Sequence, residues 1–395
     1  MPGLFLKRGE DARLRQGHLW VFSNEVDVKR SPLSEFEAGE QVAIVDASER
    51  VIGLGYINPN ALICARMVER GAHHPLDQSL LVHRLNVALA LRERLYDTPH
   101  YRLVFGEADG LPGLVIDRFG DVLVGQVGTL GMERMKDWVV AAAAKVCKPR
   151  AFLWKNSGSV RKLEGLPEYD ECALGEWPQY LEVVEGGVRF RIDPRDSQKT
   201  GWFYDQRDNR DRLPKLVRGL RVLDVFSYGG GWGLRAAAAG ASEVLCVDAS
   251  ATALAVVERA AQDNALADRV KTRQGDAFDV LKELRQNRER FDVVIVDPPA
   301  FVKRKKDFAE GRLAYRRINE MAMQLLARDG LLISCSCSHH LPRSVLLDAI
   351  HQGARHLDRS VQVLASLQQS ACHPVHPAIP ETEYLKGYVC RVLPS

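Results

Sequence analysis

Two cysteines separated by one residue, Cys335 and Cys337, lie in the segment ISCSCSHH, and His339 and His340 follow after Ser338. A cysteine thiolate is an effective nucleophile, and cysteine together with histidine also forms many zinc sites. A zinc site of this kind needs a second ligand pair at similar spacing, and the sequence contains none. The segment therefore favours a catalytic nucleophile, and we expect no bound metal.

The two cysteines are expected to differ in depth. GLLISCSC (330–337) has the composition of a buried strand, and residues two apart on a strand share one face, about 6.6 Å apart. Cys335 would lie inside the strand and pack as a small apolar residue. Cys337 would lie at the strand tip, level with Asp297 if their two strands are neighbours, so we expect Cys337 to be the nucleophile.

Acidic residues occur at or near the ends of four apolar segments: Asp224, Asp248, Asp276 and Asp297. Helical stretches alternate with these segments, which predicts a parallel, doubly wound sheet with its ligand beyond the carboxyl ends of the strands. The first segment runs into DVFSYGGGWG, a glycine-rich turn that lets the backbone approach a ligand closely. Because Leu234 stands where the dinucleotide pattern GxGxxG needs glycine, phosphate binding is a weak interpretation.

A nucleoside without phosphates suits these acids better than NAD does. Asp248 could accept from a ribose diol, and Asp276 could accept from an adenine amino group. A single acid of this kind is more often a turn residue or a helix cap, but four in this order indicate S-adenosylmethionine as the ligand.

Asp297-Pro298-Pro299 follows the fourth apolar segment and leaves carbonyls and a carboxylate to bind the polar edge of a base. An aromatic carbon such as carbon 5 of cytosine is a poor nucleophile, and a thiolate that adds to carbon 6 of that ring makes it reactive. A second group must act at ring nitrogen 3, for which Asp297 is placed. We therefore expect Cys337 and Asp297 to be catalytic. A methyltransferase for a base nitrogen and a non-catalytic RNA-binding factor are the alternatives.

The whole chain has 395 residues, which predicts two or three domains. We expect a small, mostly β domain at 1–73, an α+β middle domain at 74–192 and the alternating α/β domain at 193–395. The middle region predicts one helix in GMERMKDWVVAAAAKVC, a hairpin in LEVVEGGVRFRID and a loop in GLPEYDECALGEWPQ.

Composition limits the setting of the protein and its partners. The eight cysteines include no CxxC pair, which is typical of a reduced, cytoplasmic protein, and no apolar stretch is long enough for a membrane span. The net charge of +3 does not by itself indicate a nucleic acid. The basic run that follows DPPAF could contact RNA phosphates, although a solvated loop is the usual role of such a run: Lys303, Arg304, Lys305 and Lys306.

The sequence resembles, over nearly its whole length, the RlmI family of bacterial methyltransferases, which make 5-methylcytosine in 23S ribosomal RNA. LRQGHLWVFSNEV resembles the RNA-binding PUA domain of the family, and GEADGLPGLVIDRFG resembles its middle domain. The remaining matching motifs are KTGWFYDQRDNR, DVFSYGGGWG, DPPAF, SCS and YLKGYVCRV. The resemblance implies a Rossmann-like class I methyltransferase domain with a mostly parallel seven-stranded sheet.

The resemblance also implies a cofactor, a partner and site residues. The cofactor would be S-adenosyl-L-methionine, the product S-adenosyl-L-homocysteine, and the partner 23S ribosomal RNA; a homodimer stays open. The family's nucleophile corresponds to Cys337, and relatives often have lysine where this chain has Ala300. We expect the donor to contact Asp224, Phe226, Ser227, Gly229, Gly231, Asp248, Ala249, Asp276, Ala277, Asp297 and Gln206. We expect the RNA to contact Pro298, Phe301, Lys303, Arg304, Lys305 and Lys306.

Overall fold

The computed structural model describes residues 1–394. They form two compact units, each assembled from separate stretches of the chain. The first unit consists of Met1–Leu181, Asp193–Tyr204 and Ala371–Thr382. The second consists of Glu182–Ile192, Asp205–Ser370 and the residues from Glu383 onward.

The first unit contains two sheets and the helices that cover them. Its strands are β1 (Gly3–Phe5), β2 (Trp20–Phe22), β3 (Gln41–Val45), β4 (Val51–Ile57), β5 (Ile63–Arg70), β6 (His100–Phe105), β7 (Leu114–Phe119), β8 (Val122–Val127), β9 (Ala151–Asn156) and β10 (Tyr169–Leu174). Its helices are α1 (Ala12–Arg15), α2 (Gln78–Leu95), α3 (Leu130–Arg134), α4 (Lys136–Cys147) and α5 (Ser159–Leu163). The strand orders are β1-β3-β4-β5-β2 and β10-β9-β8-β7-β6.

Two predictions for the middle region are wrong in detail. The single helix expected over GMERMKDWVVAAAAKVC is divided, because Met135 leaves helical geometry between α3 and α4 (φ −100°, ψ 5°). The stretch expected to be a loop contains β10, which pairs antiparallel with β9. β10 is an edge strand whose sequence, YDECAL, is partly exposed, so it lacks the apolar alternation that identifies a half-buried strand.

The second unit is built on one large sheet. Its strands are β11 (Leu181–Glu185), β12 (Val188–Ile192), β13 (Arg221–Val225), β14 (Glu243–Asp248), β15 (Val270–Gln274), β16 (Phe291–Val296), β17 (Leu326–Ser336), β18 (Arg359–Gln368) and β19 (Lys386–Pro394). Its helices are α6 (Arg207–Arg210), α7 (Gly231–Ala238), α8 (Ala251–Asp263), α9 (Ala277–Gln286), α10 (Phe308–Gln324) and α11 (Arg343–His356).

The large sheet has the order β15-β14-β13-β16-β17-β19-β18. β19 runs antiparallel to both of its neighbours, and the pairs from β15 to β17 are parallel. The central strands are apolar and buried on both faces, as parallel strands covered by helices must be. The expected doubly wound, mostly parallel sheet is confirmed. Ser250 is the N-cap of α8, since its side chain accepts from the Ala253 amide (3.2 Å).

The hairpin β11–β12 forms a two-stranded sheet of its own and does not pair with the large sheet. Gly186 and Gly187 form its turn with φ of 54° and 80°, as the Gly-Gly pair predicts. The buried Glu185 carboxylate accepts from the Arg210 guanidinium (2.6 and 2.8 Å) and from Arg235 (3.1 Å). This buried ion cluster joins the hairpin to α6 and α7. A Cβ on Gly186 would clash with the Arg235 guanidinium, so a side chain there would have to displace this arginine from its ion pair with Glu185.

Candidate active site

The loop between β13 and α7 carries a strained backbone. Phe226 and Tyr228 both adopt positive φ, 65° and 48°, and Gly230 has φ 79°. Large residues rarely adopt this conformation, and such strain is concentrated where a loop holds a ligand. The Ser227 amide donates to the Val247 carbonyl (3.0 Å) and fixes the loop against β14. Gly229 lies in this loop and Gly231 begins α7, so four predicted donor contacts lie close together.

Asp224 lies at the base of this loop and is fully buried. Its Oδ2 accepts from the Gly233 amide (2.8 Å), and its Oδ1 and the Ser227 hydroxyl are buried without a hydrogen-bond partner in the described part of the chain. Burial raises the pKa of Asp224 to about 7, although the Gly233 bond opposes the rise. Buried acceptors without partners are costly, and they fit the cationic amino acid part of S-adenosylmethionine.

Asp248 and Asp276 both have backbone partners. Asp248 accepts from the amides of Tyr228 (2.9 Å) and Ser250 (2.8 Å), so it connects the strained loop to the start of α8. Asp276 is exposed and caps α9 through the Phe278 amide (2.9 Å). Each therefore has the structural role of a turn or cap acid. The residues that follow them differ in burial: Ala249 is exposed and Ala277 is buried.

Asp297 follows β16 and accepts from two side chains. Gln206 Nε2 donates to Oδ1 and Trp232 Nε1 donates to Oδ2, each at 3.0 Å. Burial raises the pKa of Asp297 to about 6, and the Trp232 bond is the largest opposing influence. Gln206 is itself oriented, because its Oε1 accepts from Asn209 (2.7 Å). The structure thus brings together the predicted Gln206 and Asp297.

Trp232 and Asn209 were missed by the sequence reasoning. Trp232 lies inside the motif DVFSYGGGWG. Because a buried indole N–H usually donates to an acceptor, one of the nearby acids could have been predicted as its partner. Asn209 stands three residues after Gln206, but neither α6 nor its orientation could be deduced from that spacing.

The prediction that Cys337 is level with Asp297 is wrong. β16 and β17 pair with Val296 opposite Ser334, so the next position on β17, Cys335, stands beside Asp297. β17 ends at Ser336, and Cys337 therefore lies beyond the strand, where its Sγ is 3.9 Å from the Pro298 carbonyl oxygen.

The two thiols differ in access as expected. Cys335 is 1% exposed, and burial raises its pKa well above the ordinary value for a thiol. Cys337 is only partly buried. A low-pKa, accessible thiol is the reactive kind, whereas a buried one is inert. Access, and not the register with Asp297, distinguishes the two cysteines.

A buried hydroxyl network lies behind Cys337. The Tyr315 hydroxyl from α10 is bonded to the hydroxyls of Ser336 (2.8 Å) and Ser338 (2.9 Å). Ser338 Oγ also accepts from the Val302 amide (3.0 Å), and the Phe301 ring lies 4.9 Å from the Tyr315 ring. The segment after β17 is thereby joined to the segment that follows Asp297-Pro298-Pro299.

The remaining expected residues lie around this edge of the sheet. Pro298 is buried and Phe301 is partly exposed. Three lysines of the basic run are exposed, Lys303, Lys305 and Lys306, while Arg304 forms an exposed ion pair with Asp307 (3.0 Å).

Histidine and cysteine side chains do not converge here. The rings of His339 and His340 lie 5.1 Å apart. Within residues 1–394, no three or more His, Cys, Asp or Glu side chains are grouped so that they could hold a metal ion. None of the helices in these residues is both long and apolar enough to cross a membrane.

Comparison with known families gives two matches along the chain. Residues 168–379 match the S-adenosylmethionine-dependent methyltransferase family, and residues 4–70 match the PUA-like domain family. The chain is 36% identical to the ribosomal RNA large subunit methyltransferase I of Aliivibrio fischeri (strain MJ11), over 99% of both chains. It is 35% identical to the enzyme of the same name from Erwinia tasmaniensis, again over 99% of both.

Solved structures show the same fold. SMU.776, described as a methyltransferase and crystallised with SAH, matches with a TM-score of 0.84 and 21% identity, over 99% of this chain and 100% of the other. A SAM-dependent methyltransferase from Streptococcus mutans matches with a TM-score of 0.82 and 20% identity over the same shares.

Proposed function

Because the chain belongs to the S-adenosylmethionine-dependent methyltransferases, within the family of the ribosomal RNA large subunit methyltransferases I, we propose that it methylates carbon 5 of a cytosine in 23S ribosomal RNA. Its methyl donor is S-adenosylmethionine. The observation that carries the proposal is a partly exposed thiol, Cys337, beside the carbonyl of Pro298, with only β16 between its strand and β13, which leads into the strained loop.

The donor, when bound, supplies an electrophilic methyl carbon. The strained loop at Phe226–Gly230 would hold its amino acid part, with the unpartnered oxygens of Asp224 and Ser227 as acceptors. Asp248 would face the ribose, and the Asp276–Ala277 corner would face the adenine. Gln206 would orient Asp297 at the edge of this site.

The Cys337 thiolate would add to carbon 6 of the cytosine and form a carbon–sulfur bond. The electron pair displaced from the ring double bond makes carbon 5 nucleophilic, so carbon 5 takes the methyl group. Loss of the carbon 5 proton then restores the double bond and expels the thiolate. The net products are 5-methylcytosine, S-adenosylhomocysteine and one proton, and Cys337 is regenerated.

Asp297 would act at the polar edge of the same cytosine. The thiolate addition places negative charge on the ring, and a protonated carboxyl at ring nitrogen 3 can neutralise it. The raised pKa of Asp297, about 6, brings its protonated form within reach near neutral pH. Gln206 and Trp232 hold one oxygen each, so the orientation of the carboxyl is set before the base arrives.

The RNA would be bound by more than the catalytic edge. Residues 4–70 match PUA-like domains, and three lysines are exposed directly after the Asp297-Pro298-Pro299 rim: Lys303, Lys305 and Lys306.

The division at residues 73 and 192 into PUA-like, middle and methyltransferase domains stays part of this proposal. None of the eight cysteines, which all lie within residues 1–394, forms a disulfide, which suits a cytoplasmic enzyme.

The proposal is tested by the chemical identity of the product. Large-subunit ribosomal RNA lacking the modification is incubated with the protein and with donor carrying a labelled methyl group, then digested to nucleosides for mass spectrometry. We expect label in 5-methylcytidine, lost in Cys337→Ala and kept in Cys335→Ala. Label in a nitrogen-methylated nucleoside, or full activity in Cys337→Ala, would contradict the proposal. Donor binding without any methylated nucleoside would indicate a non-catalytic RNA-binding factor.

A further inference from the structure

Lys386 is a buried lysine next to the proposed nucleophile. It is 6% exposed and begins β19, where it pairs with Ser336, the residue before Cys337. Its ammonium donates to the carbonyl oxygens of Ser338 (2.6 Å) and Leu341 (2.8 Å). Both carbonyls belong to the turn that starts at Cys337, so one side chain closes this turn from the neighbouring strand.

The charge of Lys386 lacks a direct counterion. Among residues 1–394, no carboxylate lies within ion-pair distance of its ammonium, and its described hydrogen bonds go to neutral carbonyls. An ammonium has three donors, and the two carbonyls use two of them. A buried positive charge without a carboxylate favours any anion that forms close by, and the turn it holds carries a thiol.

Other ionisable groups also act on this part of the site. The elements that surround Cys337 and Lys386 contribute Asp297 after β16, Cys335 in β17, Tyr315 in α10, Arg343 in α11, Glu383 before β19, and His339 and His340 in the turn. Asp297 disfavours a thiolate when ionised, and Cys335 and Tyr315 are neutral because burial raises the pKa of each. Lys386 is therefore the positively charged group that is hydrogen-bonded to the turn itself, and its charge favours the thiolate.

We propose that Lys386 is a positioning residue that fixes the Cys337 turn and stabilises Cys337 as a thiolate, an inference that rests on the proposed function of Cys337. Burial lowers the pKa of Lys386 to about 8, and Cys337 acts in the opposite direction. The lysine is accordingly charged at neutral pH and loses its charge above about pH 8. The thiolate would thus be favoured within the pH range in which the cell works.

The proposal is tested on the thiol itself, without RNA or donor. The full-length protein is alkylated with iodoacetamide between pH 6 and pH 10, and the rate at Cys337 is read from its peptide by mass spectrometry. Lys386→Met removes the charge with similar volume, and Lys386→Arg retains the charge. Cys147 and Cys172, which are also partly exposed, are internal controls in the same sample.

We expect Lys386→Met to raise the apparent pKa of the Cys337 thiol by about one unit, which slows alkylation at pH 7 about tenfold. Lys386→Arg should restore at least part of the rate, and Cys147 and Cys172 should not change. An unchanged Cys337 profile in Lys386→Met, with donor binding intact, overturns the proposal.

Two further results keep the inference distinct from the proposed function. Should Lys386→Met not fold, the wild-type profile decides: a Cys337 pKa at or above the ordinary thiol value of about 8.5 overturns the inference. A shifted thiol pKa together with full methylation by Cys337→Ala would instead refute the proposed function and leave the role of Lys386 intact.

Discussion

Asp224 and Asp297 are two carboxyls whose pKa values burial raises, to about 7 and about 6. A raised pKa means that each carboxyl takes up a proton as the pH falls into the neutral range. The donor carries positive charge on its sulfonium and amino groups, so protonation of an acid that faces it must weaken its binding. With Asp224 beside the amino acid part of the donor, as proposed, the affinity for the donor is expected to rise between pH 6 and pH 8.

We expect the affinity for S-adenosylmethionine to fall about tenfold between pH 8 and pH 6, because Asp224 becomes neutral across this interval. Isothermal titration calorimetry at several pH values measures the change. Asp224→Asn should bind the donor weakly and with little pH dependence. Asp279→Asn, an exposed acid on α9, is the matched control and should retain the wild-type profile. An affinity that is independent of pH in the wild type would contradict the assignment of Asp224.

At the scale of elements, α10 and β17 are joined by the Tyr315 hydroxyl, which bonds to both Ser336 and Ser338. Burial raises the pKa of Tyr315 to about 12, so the hydroxyl is neutral and can donate to one serine while it accepts from the other. These bonds determine where the chain emerges from β17 and therefore where Cys337 stands relative to Pro298.

We expect Tyr315→Phe to reduce the free energy of unfolding by about 1–3 kcal/mol, because two buried serine hydroxyls each lose a partner. The rate constant for methylation should fall as the Cys337 turn loosens, while the affinity for the donor stays the same. Urea unfolding and single-turnover methylation measure the two effects. Tyr388→Phe, which removes one weaker bond to the Arg343 carbonyl (3.3 Å), should change both quantities less; an equal loss would argue against a specific role for Tyr315.

The alternation of apolar and helical segments was sufficient to predict the parallel sheet and the acids near its strand ends, because both are local patterns. It was not sufficient to predict the register, since β17 begins at Leu326 and its pairing with β16 is irregular between Phe291 and Val293. The start of β17 contains the four residues ARDG, which are polar or mixed in character, so the sequence did not indicate that the strand begins there. As a result, Cys337 was predicted to lie beside Asp297, whereas the residue beside Asp297 is Cys335, two positions earlier.

The contacts that the sequence did not predict come from distant elements. Tyr315 and Lys386 reach the Cys337 turn from α10 and β19, and Trp232 reaches Asp297 from α7. No spacing in the chain relates these residues, because tertiary packing alone brings them together.

At the scale of the whole molecule, ribosomal RNA is large and charged, so its affinity should depend on basic residues outside the crevice. Lys305 and Lys306 are exposed, whereas Arg304 is already paired with Asp307. Together with Lys303, which is also exposed, these two lysines are the members of the basic run best able to meet phosphates.

We expect Lys305→Glu/Lys306→Glu to weaken RNA binding and to reduce the slope of log affinity against log salt by about 2, because two phosphate contacts are lost. Donor binding should not change. Filter binding at several salt concentrations gives the slope. Lys215→Glu/Lys282→Glu carries the same charge change at exposed lysines elsewhere in the second unit, and it should leave more of the slope intact. Equal slopes in the two double variants would show that net charge alone matters.

The central claim is that Cys337 forms a covalent bond to carbon 6 of the target cytosine. Large-subunit ribosomal RNA transcribed with 5-fluorocytidine tests it directly, because fluorine at carbon 5 cannot leave as a proton and the adduct persists. With donor present, a denaturing gel should show an RNA–protein complex for the wild type and for Cys335→Ala, and none for Cys337→Ala, with the cross-linked peptide containing Cys337. A wild-type enzyme that methylates normal RNA but forms no such complex, or a complex that depends on Cys335, would contradict the account.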